Sequence, residues 1–373
     1  MLKRYSIKNY NFKLIIFAVI QTIIGIAVIG SAKESVQNKQ IFGLILGLIV
    51  MVVISLIDYS YILKFSWLVY FFNLALLGSV YIIGESSHSA TRWISIAGIK
   101  FQPSELAKIL LILFYAYFFM KHQSSINTIK TLVLSFALVG VPLILIKEQP
   151  DLSTTIVTAM IFIALLFIAG LSYKIIVAVL AISIPSALIF IYFVLQPDQK
   201  ILDEYQYKRI MGWLYPEQYS DSAYQQQNSI MAIGSGQLWG KGLNNSQITS
   251  VKNGNFLSEP QTDFIFAVLG EELGFVGAMI VIILMFLIVM ECILTARKAK
   301  DLSGRLICCG MGALIGFQGF VNICVATGVM PNTGLPLPFV SYGLTSLVTL
   351  YMGLGFVLNV GLQPKKFKMT SEF

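Results

Sequence analysis

The amino-acid sequence predicts an all-α polytopic membrane protein. It reads as a single membrane domain over residues 1–373, with about ten transmembrane helices and a long extracellular loop, 196–263, between the seventh and eighth. Three observations predict this. The 373 residues are 57% hydrophobic and only 12% charged, where soluble domains are about a quarter charged. Mean hydropathy is +0.79. Apolar stretches recur at close to the twenty or so residues that a helix needs to cross hydrocarbon. One water-soluble core cannot hide that much apolar surface, so lipid must be the solvent.

The ten stretches are 14–32, 41–57, 66–84, 105–120, 131–147, 154–171, 174–195, 264–294, 305–327 and 341–361. The first follows a basic start, but its apolar run is too long for a signal-peptide core, so it reads as a span. The eighth exceeds one bilayer crossing and must begin outside the bilayer or tilt. An even number of spans puts both termini on one side. Fifteen lysines and arginines then fall on that side, against five in the short loops opposite. The positive-inside rule makes the termini cytoplasmic and turns loop 196–263 outward. The net charge of +8 therefore describes membrane orientation and not nucleic-acid binding. Within the long loop, Trp213, Tyr215, Tyr219 and Tyr224 suit a headgroup layer. The Gly- and Asn-rich part that follows predicts turns. Cys292, Cys308, Cys309 and Cys324 lie in or beside apolar spans and read as packing residues. His88 and His122 lack metal-ligand spacing, so no metal site is read from the sequence.

Polar residues stand out where they cost free energy, about 2.5–3.5 kcal/mol for a charge at the centre of a membrane helix. In "QPSELAKIL", Glu105 and Lys108 are three apart and share a helix face. Two readings stay open: an internal ion pair that fixes packing, or a substrate-facing pair with Lys108 on phosphate. In "TRWISIAGIKFQPSE", Arg92 beside Trp93 is an interfacial anchor or a phosphate or sugar contact. Asp151, in "KEQPDLSTT", opens the sixth span and complements a helix dipole. The stretch "FLSEPQTDFIFAVLGEELG" carries Glu259, Asp263, Glu271 and Glu272, with no basic residue after them before Arg297. Capping by Thr262 or Asp263 is one reading. Carboxylates clustered at one entrance, raising one another's pKa for proton uptake, are the other. The segment "MPNTGLPLPFVSYGLTS" breaks the backbone with three prolines and two glycines. At membrane depth that is tolerated only against protein or a wet cavity. The outer ends of several spans thus surround one polar chamber.

With "RWI", "FQPSELAKI", "QPDLST", "AIGSG" and "GKG", "TDFIFAVLGEELGFVG" and "TGLPLPFVSYG" in this order, the chain resembles the SEDS proteins, the RodA/FtsW/SpoVE group, over essentially its whole length. The resemblance implies a peptidoglycan glycosyltransferase in the cytoplasmic membrane of a bacterium. Such an enzyme polymerises lipid II on the outer face beside a class B penicillin-binding protein. The likeness leans to RodA and cell elongation, with division and sporulation branches as alternatives. It places the family's essential loop aspartate on Asp263 as general base. It places the helix-four pair on Glu105 and Lys108, the loop arginine on Arg92 and the QPD aspartate on Asp151. Glu259 and Ser341, inside matching motifs, join the substrate-binding set. A sugar C4 hydroxyl would attack C1 of an α-linked donor and expel undecaprenyl pyrophosphate, giving a β-linked glycan with inversion. No fixed cofactor is implied, and there is room for a divalent cation, magnesium or manganese, at the pyrophosphate. Ser258, Leu344 and Ser153 replace residues usual in the family. A lipid flippase is the rival in transport, yet the polar groups gather at outer span ends and not through the midplane. A recruiting scaffold, the other rival, would not need an ionisable Asp263.

Overall fold

The computed structural model describes residues 9–87, 90–96, 99–196, 199, 202, 204–244, 257 and 259–363. The chain runs α1 (Phe12–Ala32), α2 (Glu34–Leu56), α3 (Tyr59–Lys64) and α4 (Ser66–Ile83). Strands β1 (Glu85–Ser87), β2 (Ala90–Ile96) and β3 (Ile99–Phe101) follow, then α5 (Pro103–Lys121), α6 (Ile129–Lys147), α7 (Leu152–Ile168) and α8 (Tyr173–Val194). Next come α9 (Glu204–Leu214), α10 (Ser220–Ser235), α11 (Ile265–Lys298), α12 (Leu302–Ala326) and α13 (Leu344–Leu362). Helices α1, α2, α4, α5, α6, α11, α12 and α13 are each long and apolar enough to cross a membrane. The sixth expected span is the apolar but shorter α7, of 17 residues, and the seventh lies on α8, of 22 residues.

Helices α5, α12 and α13 form the enclosed centre, while α1, α2, α4 and α6 present isoleucine and phenylalanine outward, as lipid contact requires. Lipid tails give no hydrophobic drive between helices, so close packing relies on small residues. At Gly47 of α2 a Cβ would stand 2.7 Å from the Tyr351 ring of α13. The segment between α4 and α5 was expected as loop. It forms an antiparallel sheet, order β1-β2-β3, in which Ile94 pairs Phe101 and Ser95 pairs Lys100. The alternating, β-branched run "ATRWISI" explains the strand.

Two features position the site. The first is a break in α11. Gly274 has φ 64° and ψ −165°, so Ile265–Leu273 forms a separate arm ahead of the membrane-crossing part. This break accounts for the excess length of the eighth apolar stretch. The second is the connection between α12 and α13, which dips into the bundle. Its Leu335, Leu337, Phe339 and Val340 are buried. A Cβ at Gly25 of α1 would stand only 2.7 Å from Val340 Cα. Helices α9 and α10 lie across the end of α12 and supply donors to carbonyls that its termination leaves open. Trp213 Nε1 donates to Gly328 O at 2.8 Å, Ser229 Oγ to Ala326 O at 2.7 Å, and Gln226 Nε2 to Met330 O at 2.6 Å.

Candidate active site

The dipping connection has no secondary structure to satisfy its backbone, and buried polar groups without partners are costly. Amide side chains from apolar helices do that work. Gln318 Nε2 donates to Pro336 O at 3.0 Å, and Asn322 Nδ2 to Leu335 O at 2.6 Å. Gln40 donates to Ser341 O at 3.1 Å and accepts from the Gly343 N–H at 3.2 Å. Ser153 Oγ donates to Thr333 O at 2.5 Å. Residues 261–263 are stitched to the same connection. Asn322 Nδ2 also donates to Asp263 O at 2.7 Å, Ser341 Oγ to Thr262 O at 2.7 Å, and the Tyr342 N–H to Gln261 O at 2.8 Å. The Ser341 hydroxyl accepts from the Leu337 N–H as well, at 2.7 Å. It is a brace of the backbone that carries Asp263.

Asp263 itself precedes α11. Phe264 holds the cap position of that helix and no side chain caps it, so neither Thr262 nor Asp263 is used for capping. Thr262 Oγ1 donates instead to Glu259 O, at 2.8 Å. Among the described residues no hydrogen bond reaches the Asp263 carboxylate. Gly334, at φ 75°, lets the connection pass close by: a Cβ there would stand 3.2 Å from Asp263 Oδ2. Burial pushes the Asp263 carboxyl up. The Arg209 and Arg92 guanidiniums pull it down, the Asp151 and Glu259 carboxylates push it up again, and it rests at about 6.

Each charge around it is placed by a different element. Arg92, on β2, donates Nε to Gln149 O at 3.1 Å and a terminal nitrogen to Pro150 O. Asp151 is buried and caps α7, with Oδ1 accepting from the Thr154 N–H at 3.1 Å and Oδ2 from Gln102 at 3.3 Å. Glu259 is exposed, in a left-handed turn at φ 54°. Arg209, on α9, donates to Asn332 O at 3.4 Å.

Glu105 and Lys108 form an internal ion pair. Lys108 is 1% exposed. Its Nζ lies 2.6 Å from Glu105 Oε1 and 2.7 Å from Gln318 Oε1, while Glu105 Oε2 accepts from Ser346 at 3.0 Å. The pair therefore holds Gln318, which holds Pro336. It supports the α12–α13 connection through Gln318.

Glu271 and Glu272 do not join Asp263 at one entrance as expected. Eight residues on, they sit about 12 Å further along the helix axis. They are buried, and each is engaged: Glu271 with Lys241 at 2.7 Å, Glu272 with Ser31. The basic partner of Glu271 precedes it by thirty residues in the chain, outside the stretch that runs on to Arg297.

The family model for FtsW/RodA/SpoVE, described as cell cycle protein, matches residues 5–366. The chain belongs to this family. Among curated relatives, a probable peptidoglycan glycosyltransferase FtsW of Geobacter sulfurreducens is 32% identical, covering 96% of this chain and 97% of that protein. Peptidoglycan glycosyltransferase MrdB of Escherichia coli K12 is 35% identical, over 87% of this chain and 85% of the relative. Among solved structures, a chain of a peptidoglycan synthase complex, described as coordinating polymerization and crosslinking, matches at TM-score 0.76 with 28% identity. That match covers 94% of this chain and 97% of the other. The crystal structure of Thermus thermophilus rod shape determining protein RodA matches at TM-score 0.69 with 26% identity, over 96% and 98%.

In this FtsW/RodA/SpoVE chain the motif residues Arg92, Asp151 and Glu259 act electrostatically on Asp263. Arg209 was missed by the sequence reading, and so were Gln40, Gln318 and Asn322. Amides inside apolar spans were the available signal, since polar groups there need partners. Among the described residues no three acidic, histidine or cysteine side chains come together to hold a metal ion. The Arg209 and Arg92 guanidiniums act on Asp263 by charge, and guanidiniums suit an anion.

Proposed function

We propose that the chain is an inverting peptidoglycan glycosyltransferase that polymerises lipid II, with Asp263 as general base. The observation that carries this reading is Asp263 itself. It is a carboxylate near pKa 6 under the charge of two guanidiniums, released from capping, on a segment, 261–263, whose backbone carbonyls accept three hydrogen bonds. At neutral pH such a group is mostly ionised yet more basic than an ordinary carboxylate, which is what proton abstraction asks of it. Relatives named as peptidoglycan glycosyltransferases at 32% and 35% identity support the class.

In the proposed step the acceptor's C4 hydroxyl gives its proton to Asp263 as its oxygen bonds to C1 of the donor. The C1–O bond to pyrophosphate breaks, and the electron pair leaves with undecaprenyl pyrophosphate. Arg92 and Arg209 stabilise the growing negative charge. Glu105, Lys108 and Ser341 keep the chamber's backbone in place. The site end of the bundle faces outward and the termini are cytoplasmic, on the distribution of lysine and arginine. A class B penicillin-binding protein is the proposed partner, supported by the match to a synthase complex. Within the family we assign elongation, on the 35% identity to MrdB and the match to RodA. Rescue of rod shape in cells depleted of their RodA tests that branch, and rescue of division in FtsW-depleted filaments instead would reverse it.

The test of the activity is polymerisation of labelled lipid II by the purified protein, alone and with a cognate class B penicillin-binding protein. Glycan strands from wild type and none from a folded D263N support the reading. Equal product from both moves the base elsewhere. Lipid II crossing vesicle membranes with no glycan made would replace the enzyme by a transporter.

A further inference from the structure

The motifs "GSG" and "GKG" and the acids Glu271 and Glu272 take no part in the chemistry above, yet they meet at one place. The arm Ile265–Leu273 carries Asp263 at its start and ends at the Gly274 break. A break interrupts the hydrogen-bond ladder, so helix continuity no longer fixes the arm's direction. Its near end is held by Asn322, Ser341 and Tyr342. Its far end is held by residues 237–242, which follow α10. The Lys241 N–H donates to Glu271 O and the Gly242 N–H to Glu272 O, both at 2.9 Å. Beyond the break the Phe275 N–H donates to Gln237 O at 2.8 Å and the Val276 N–H to Leu238 O at 3.1 Å. These are the carbonyls and N–H groups that a helix break leaves open.

Such an approach needs glycine. A Cβ at Gly236 would stand 1.9 Å from Gly270 O, and one at Gly240 2.1 Å from Glu272 O. Over this backbone clamp lies one ion pair, Lys241 Nζ to Glu271 Oε1 at 2.7 Å, with the Glu271 side chain 3% exposed and that of Lys241 21%. A charge-assisted bond to a buried carboxylate is directional as well as strong.

We propose that Lys241 and Glu271 are positioning residues for Asp263, their ion pair fixing the far end of the arm whose near end presents the carboxylate. This rests on the assignment of Asp263 as the base. Glu271 lies about 12 Å along the axis from Asp263, so the pair acts through the arm and does not touch the reacting atoms. Catalysis is sensitive to such placement: an error of about 1 Å can cost on the order of a hundredfold.

The experiment measures kcat and KM for lipid II with K241M, E271Q, K241R and the double variant K241M/E271Q, each checked for folding by thermal unfolding in detergent. K241M takes the ammonium away from the buried Glu271 carboxylate and can prevent folding. The double variant removes both charges and avoids that penalty. Expected are a fall in kcat of about tenfold to a hundredfold for the double variant with KM within about twofold, and recovery to within about threefold of wild type by K241R, which keeps the charged donor. A double variant with wild-type kcat overturns the proposal. So does a loss confined to KM, which would put Lys241 on the substrate, or a K241R as slow as K241M. Inactive wild type would instead remove the reading of the protein as a polymerase, so the two failures are distinguishable.

Discussion

Asp58 and Asp263 stand at opposite ends of the same bundle, and their surroundings treat a carboxylate in opposite ways. Asp58 follows α2 and caps α3. Burial alone would raise it, but the Ser60 N–H, the Gln363 amide, the Ser60 hydroxyl and the Lys300 ammonium outweigh burial and hold it below the usual carboxylate range. Around it, Tyr59 donates to Asp301 at 2.8 Å, Asp301 caps α12 at the Gly304 N–H at 2.7 Å, and Lys300 lies over the Tyr59 ring at 4.6 Å. That end is a knot of matched donors and acceptors. At the other end the donors go to the backbone around Asp263 and not to its carboxylate, which is left near 6. The lesson is that burial raises a carboxylate only where the fold withholds donors from it. Withholding them gives up stability in return for basicity.

D263N should lower glycan synthesis by about a hundredfold to ten-thousandfold, the range of general-base catalysis, read as initial rate on labelled lipid II. D301N at the opposite end should leave the rate per folded molecule unchanged, and a comparable loss there would erase the contrast. R209M should lower the rate by about a hundredfold through the leaving group. It should also move the acid limb of the pH–rate profile above about 6, because a guanidinium that pulls Asp263 down is gone. A limb that stays put would remove Arg209 from the site. Y59F should cost about 1 kcal/mol of stability, since the part-buried Asp301 oxygen loses one of three donors and keeps the Gly304 N–H and the Ser303 hydroxyl, measured as a lowered denaturation midpoint.

The smallest effect concerns stability against pH and has opposite signs at the two ends. Asp263 is raised, so its charged form burdens the fold fully above about pH 6, and the burden disappears as pH falls from there to the ordinary value of 3.8. D263N should therefore melt higher than wild type at pH 7.5, with the gap narrowed at pH 5 and closed only below about pH 4. Asp58 is lowered, so its contribution is present above its ordinary value of 3.8 and is lost as pH falls through its depressed one. D58N should melt lower at pH 7.5, with the gap closing only below about pH 4.

Much of this was legible in the sequence, for physical reasons that differ by element. Bilayer crossing leaves an unmistakable hydropathy signal, and each of the ten apolar stretches lies on a helix. Arg92, Asp151, Glu259 and Asp263 were legible because charges at span ends are costly enough to be conspicuous. The break at Gly274 was hidden, since one glycine in "GEELGFVG" looks the same whether it packs or bends. Lys241 was hidden because its pairing with Glu271 is closed by tertiary contact and not by helical spacing. The sheet at β1–β3 was missed inside a segment read as loop, although "ATRWISI" alternates as a strand should. Gln40, Gln318 and Asn322 show as odd amides in apolar helices, but what they satisfy exists only once the α12–α13 connection folds back among them.

The break in α11 also bears on how the site meets a changing bilayer. Membrane helices tilt to match hydrocarbon thickness. At about 1.5 Å per residue, the 34 residues of α11 would make an unbroken lever of roughly 50 Å. A tilt of about 5° at one end of that lever would sweep the other by about 4 Å, several times the placement error that active sites tolerate. The break at Gly274 shortens that lever: residues 237–242 bond to the chain on both sides of it, so the direction of the arm is set at the polar end of the bundle and not by one continuous rod through the bilayer.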